Sequence, residues 1–257
     1  MKQISLVFLA LIFFLPMHTH SATEDKILRI GADPWCPYNC ASSDKNKGYL
    51  VDIAVQVYES QGYKVVYGNL PWRRAFLEIN TNHLDAVIGV VEGNKENLLL
   101  NKMPLGIDET VIVVRKNEMF TYSGPQSLQS KQIGVITNYT YDNNGELDTF
   151  LNQLKSSNPS SINVLFHEDA LNSLYFMLLD KRIDLFLENR VIARYTAQQQ
   201  GLLNKVDFID TSASDNIYFG FKNNEKGRAL ANMLDEGIKK MMANGQLDEL
   251  KLLYGLK

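Results

Sequence analysis

The stretch Trp35-Cys36-Pro37-Tyr38-Asn39-Cys40 holds the only two cysteines of the chain, four positions apart. Two chemistries suit that spacing. One is a disulfide locking a tight loop, as expected of an exported protein; the other is a redox pair, although the spacing carries one residue more than Cys-x-x-Cys. Two free thiols are the third reading, and a bridge this local would stiffen one loop without stapling the fold. Of the histidines, His18 and His20 sit in an N-terminal segment that reads as a leader, and His83 with His167 cannot by themselves form a multi-histidine metal site. No metal or cofactor is therefore expected. The sequence holds no Gly-x-Ser-x-Gly, His-Glu-x-x-His or phosphate-cradling glycine loop. Carboxylate-based acid–base chemistry leaves little trace in one sequence, so an enzyme of that kind stays open. What remains are clusters that mix aromatic and polar side chains: Trp35 with Tyr38, Trp72 with Arg73 and Arg74, Asn138-Tyr139-Thr140, and Glu188-Asn189. Their chemistry is flat contact area, hydrogen bonds and charge, which hold a small molecule.

These clusters need a scaffold, and composition describes it. The 257 residues are 45% hydrophobic and 21% charged, the balance of a globular chain with ample core. A net charge of −3 without a basic block excludes nucleic acid and anionic membranes as expected partners. Lys2 precedes an uncharged apolar run over 4–17, then Thr19, His20, Ser21 and Ala22. That order is a signal peptide over 1–22, cleaved after Ser21 or Ala22, which predicts a periplasmic mature chain of about 235 residues. The apolar run is too short for a membrane span.

Apolar runs of strand length alternate with segments of helical period, the pattern of an α/β fold. Strands are predicted at 27–32, 64–67, 84–91, 110–114, 132–136, 162–166, 184–187, 206–209 and 217–221. Helices are predicted at 50–61, 73–80, 145–154, 169–179, 191–199, 225–243 and 246–254. Two units of about 100 residues fit a two-lobed protein better than one large sheet.

Several motifs in order then carry a resemblance. They are Gly48-Tyr49-Leu50-Val51-Asp52-Ile53-Ala54, Leu70-Pro71-Trp72-Arg73-Arg74-Ala75, Leu84-Asp85-Ala86-Val87-Ile88-Gly89, Gln132-Ile133-Gly134-Val135, Arg182-Ile183-Asp184-Leu185, and Ala243-Asn244-Gly245-Gln246-Leu247 with Tyr254-Gly255. Together they span nearly the whole mature chain, which resembles the bacterial extracellular solute-binding proteins of the amino-acid-binding type, family 3. The resemblance implies the type 2 periplasmic-binding-protein fold, two α/β lobes joined by two crossing strands. Lobe 1 would comprise 23–113 plus 218–257 and lobe 2 residues 114–217. It further implies a monomer that captures a small polar molecule between the lobes by hinge motion and hands it to an ABC permease. A ligand-sensing module for a membrane receptor and a dehydratase-like enzyme are the alternatives on the same fold.

In the family an Arg holds the ligand's α-carboxylate and an Asp its α-ammonium. Asn97 stands at the position of the former and Asn189 at that of the latter, which leaves amides without net charge. Trp35, Tyr38 and Trp72 are candidate aromatic contacts or, on the plainer reading, lobe packing. Arg74 either supplies positive charge or lies in solvent. Asn138, Tyr139 and Thr140 form a turn whose backbone N–H groups face a polar group. Glu188 could restore the negative charge that Asn189 lacks, and strand alternation would let only one of the pair face the cleft. Asp142-Asn143-Asn144-Gly145 faintly suggests a calcium loop, without the context that a calcium site needs.

Overall fold

The computed structural model describes residues 26–167 and 169–256, so the leader predicted over 1–22 lies outside it. In chain order the described residues form β1 (Lys26–Ala32), α1 (Tyr49–Glu59), β2 (Tyr63–Asn69), α2 (Trp72–Asn80), β3 (Ala86–Val90), β4 (Leu98–Leu100) and β5 (Gly106–Arg115). There follow β6 (Ile133–Ile136), α3 (Glu146–Ser157), β7 (Ile162–Leu165), α4 (Ala170–Leu179), β8 (Leu185–Asn189), α5 (Arg190–Gln199), β9 (Val206–Lys222), α6 (Glu225–Ala243) and α7 (Gln246–Leu253). The strand path is β2-β1-β3-β9-β5-β8-β6-β7, with β4 on β9.

The path consists of two parallel sets stitched through an antiparallel pair. Strands β1–β2 and β1–β3 pair parallel, as do β6–β7 and β6–β8. Between them β5 and β9 run antiparallel from Gly106↔Ile217 to Arg115↔Val206, with a register shift between Glu109 and Val111. These two strands carry the chain from one lobe to the other. The strands predicted at 110–114 and 217–221 were too short for this. The runs expected as separate strands at 206–209 and 217–221 belong to one 17-residue strand. Its middle, Asp210 to Asn216, is polar and largely exposed, so no apolar run marks it.

Each lobe has its own core. In the first, Leu28, Ile30, Ile53, Ala54, Val57, Ile79, Val87, Phe219 and Phe221 pack with Leu230, Leu234 and Ile238 of α6. In the second, the sheet is buried on both faces. Val111, Val113 and Phe186 join one cluster with Leu174 and Leu178, while Ile112, Val114, Leu185 and Leu187 join the other with Leu147 and Leu151. The alternation of neighbours along β5 and β8 thus assigns each side chain to one layer.

Two local devices hold the first lobe's edges. The loop closed by the Cys36–Cys40 disulfide, with Cα atoms 4.3 Å apart, caps α1 through its backbone. The N–H groups of Tyr49 and Leu50 donate to the carbonyls of Pro37 and Tyr38 at 2.9 and 2.8 Å, which satisfies donors that the helix cannot satisfy internally. Gly48 permits this approach, because its φ is +113° and a Cβ there would lie 2.5 Å from the Tyr38 carbonyl oxygen. On α6, the buried carboxylate of Asp235 accepts the N–H groups of Lys102 and Met103 at 3.0 and 2.9 Å, pinning the connection from β4 to β5. An Asp235→Ala substitution should lower unfolding stability by about 3 kcal/mol in urea denaturation, with Asp235→Asn losing less, because buried backbone donors lose a charged acceptor.

Candidate functional site

The cleft lies where the carboxyl ends of β1 and β3 face the end of β8, the position that open α/β sheets offer to ligands. From the first lobe it is lined by Asp33, Trp35, Asn39, Trp72, Ile88, Gly89, Val91 and Asn94. Strand β5 adds Asp108 and Thr110, and the second lobe adds Tyr139, Thr140, Tyr141, Glu188 and Asn189.

Two side-chain hydrogen bonds cross it. The Trp35 indole Nε1 donates to Glu188 Oε1 at 2.9 Å, and the Tyr139 hydroxyl donates to Asp33 Oδ2 at 2.5 Å. Trp35 is held in place by its stack on Tyr38, with ring centroids 5.2 Å apart, and by its backbone bridge to Asn39. Tyr139 meets Trp72 edge to face at 6.1 Å, and Trp72 meets Phe76 in the same way at 5.0 Å. The walls are therefore aromatic on both sides.

The floor is acidic. Glu188 is 1% exposed; its Oε1 also accepts the Asn189 N–H at 2.7 Å, while its Oε2 has no hydrogen-bond partner. Burial pushes its carboxyl up to about 8, the hydrogen bonds from Trp35 and Asn189 pull it down, and the charges of Asp108 and Asp33 push it further up. Burial likewise raises Asp108 to about 6, against a lowering hydrogen bond from Asn189 Nδ2 at 2.9 Å. Trp72 Nε1 and Thr140 Oγ1 are also buried without a partner. Among the described residues lining the cleft there is no lysine or arginine, and among all described residues no group of three His, Cys, Asp or Glu is placed to hold a metal ion.

Of the residues singled out from sequence, Trp35, Trp72, Tyr139, Thr140, Glu188 and Asn189 border the cleft. Glu188 and Asn189 both do so, although alternation allowed only one. Asn189 is where the strand ends and the chain turns, and its Oδ1 caps α5 by accepting the N–H groups of Val191 and Ile192 at 2.8 and 3.0 Å. Four others are not among the lining residues. Tyr38 is buried behind Trp35, its hydroxyl reaching the Ile107 carbonyl at 3.3 Å. Arg74 lies on the outer face of α2, because Trp72, Ala75, Phe76 and Ile79 take the inner one, and it pairs with Glu78 at 3.0 Å. Asn97 is exposed just before β4. Asn138 is exposed with φ of +63°, so it makes the left-handed turn expected of it without turning its side chain to the cleft.

Sequence reasoning missed Asp33, Asn39, Asn94, Asp108, Thr110 and Tyr141. Asp33 had a usable signal, since it follows the last residue of β1. Asp108 did not, because the predicted strand began at 110 and left it in a connection.

The sequence pattern of the bacterial extracellular solute-binding proteins, family 3, matches residues 28–257, and the chain belongs to that family. It is 23% identical over 244 residues to PatH of Vibrio harveyi, named as an amino-acid ABC transporter-binding protein, covering 91% of this chain and 89% of that one. It is 19% identical over 242 residues to a protein of Neisseria gonorrhoeae named as histidine-binding, covering 92% and 86%. Its fold is similar to a solved chain described with glutathione import via GshT and the cystine ABC importer TcyBC of Streptococcus mutans. The TM-score is 0.74 at 19% identity, covering 90% of this chain and 95% of that one.

The raised Glu188 carboxyl has a pH signature. The folded state keeps its proton while the unfolded state loses it, so stability falls as pH rises from the ordinary glutamate value near 4.5 toward about 8. A Glu188→Gln variant lacks that loss. In denaturation at pH 5 and pH 9 it should gain on the unsubstituted protein at the higher pH, and an equal difference at both would refute the assignment.

Proposed function

We propose that this is a periplasmic solute-binding protein that closes two lobes on a small polar molecule and delivers it to an ABC permease. The observation that carries the reading is the pair of hydrogen bonds across the cleft, Trp35 to Glu188 and Tyr139 to Asp33, which join residues 153 and 106 positions apart. Side chains from both lobes meet at the same place, so what fills that place is coupled to hinge closure. Family membership and the transport relatives support it.

In this reading lobe 1 is 23–113 with 218–257, lobe 2 is 114–217, and residues 1–22 direct export as a signal peptide. The protein acts as a monomer, and Trp35, Trp72, Tyr139, Thr140, Glu188 and Asn189 contact the ligand. A dehydratase-like enzyme acting on an acid is the weaker account. An anionic substrate would enter among Asp33, Asp108 and Glu188 with no cation among the described lining residues to receive it.

The test is a broad metabolite panel read by melting temperature and by small-angle scattering. Its ligand at about 100 times Kd should stabilise the protein by about 2.7 kcal/mol and reduce its radius of gyration. Neither effect with any compound would overturn the reading.

A further inference from the structure

The cleft described above sets the charge of what it can hold. Three carboxylates, Asp33, Asp108 and Glu188, line it, and none of its described lining residues carries a positive charge. Glu188 goes further than proximity: it lines the cleft, its Oε2 is buried without a hydrogen-bond partner, and its Oε1 is already occupied by two N–H groups. An orphaned buried oxygen of this kind calls for a partner, and once the carboxyl is ionised that partner is a donor. A quaternary ammonium has no N–H to give; a protonated amine has. The aromatic side chains of Trp35, Trp72 and Tyr139 that line the same cleft suit a cation with an apolar or aromatic body. Trp72 Nε1 and Thr140 Oγ1, buried without partners, are neutral donors. They suit a hydroxyl or ring nitrogen but bring no charge to offset a carboxylate among three others.

We propose that the cleft receives a protonated primary amine that carries no carboxylate, with its N–H groups on Glu188 and its body between the aromatic walls. The proposal rests on the solute-binding reading and narrows it to a ligand class. It also fixes where a proton goes. Glu188 holds its proton at neutral pH in the closed cleft. Pairing with an ammonium requires the carboxylate, so binding ejects that proton to solvent. The other acidic groups facing Glu188 are Asp33 and Asp108, together with the phenols of Tyr139, Tyr141 and Tyr175, which burial keeps protonated.

Matched pairs that differ only in the carboxylate provide the test: tyramine with tyrosine, histamine with histidine, agmatine with arginine. Calorimetry of the full mature protein near pH 7, in two buffers of different ionisation enthalpy, should find an amine bound at least tenfold more tightly than its amino acid. Close to one proton should be released per amine bound. Glu188→Gln should weaken that amine at least tenfold and abolish the release, and a melting temperature no lower than that of the unsubstituted protein verifies its fold. Asp33→Asn should weaken the amine while retaining the release, so the test does not hang on one variant. Three results overturn the proposal: an amino acid binding as tightly as its amine, amines silent while other panel solutes bind, or Glu188→Gln binding the amine unchanged. Silence of the whole metabolite panel is a different result, since it removes the solute-binding reading itself.

Discussion

A carboxylate enclosed between two lobes is the constraint on which the cleft depends. Glu188 closes the end of β8, a strand covered on both faces, so its backbone cannot shift without disturbing both cores of the second lobe. Taking such a group out of water is costly unless it is protonated or hydrogen-bonded. The protein does some of each: Trp35 reaches across from the first lobe, the chain turns at Asn189 to offer a backbone N–H, and the start of α5 lies two residues on. Separation of the lobes would break the Trp35 bond and expose Glu188 to water. Closure and the protonation of one side chain are therefore linked.

The opposing wall is built by a turn that uses carboxylates in another way. Asp148 accepts the N–H groups of Tyr141, Asp142 and Asn144 at 2.9, 3.2 and 2.9 Å, and Asp142 accepts those of Gly145, Leu147 and Asp148 at 3.0, 2.6 and 3.0 Å. The acidic run that resembled a calcium loop thus satisfies backbone donors at the start of α3. In doing so it fixes the direction of Tyr139, Thr140 and Tyr141. Asn144 Nδ2 then reaches the Gly93 carbonyl in the first lobe at 2.6 Å. A Cβ on Gly93 would lie 2.8 Å from Asn143 Oδ1, so the closed mouth requires glycine there.

Legibility followed the physical signal. Helices with a strong apolar stripe were read closely: α6 runs from Glu225 to Ala243 as predicted. Parallel strands such as the buried β6 announce themselves as short apolar runs. The polar centre of β9 carries no such run and β4 is only three leucines long, so their pairing in the folded sheet is what makes them strands. The cleft divided along the same line. Trp72 and Tyr139 stood out by type and by their place after a strand. Asp108 owes its position to a strand pairing that sequence does not display, and Arg74 was drawn outward by the helical phase of its neighbours.

The central claim is that an acidic, aromatic cleft retains a positively charged small molecule. It is tested most directly by native mass spectrometry of protein freshly isolated from its native host and never denatured. The account predicts a one-to-one adduct whose mass, after release and fragmentation, belongs to an amine without a carboxylate. An adduct that proves to be an amino acid or an organic acid would contradict it.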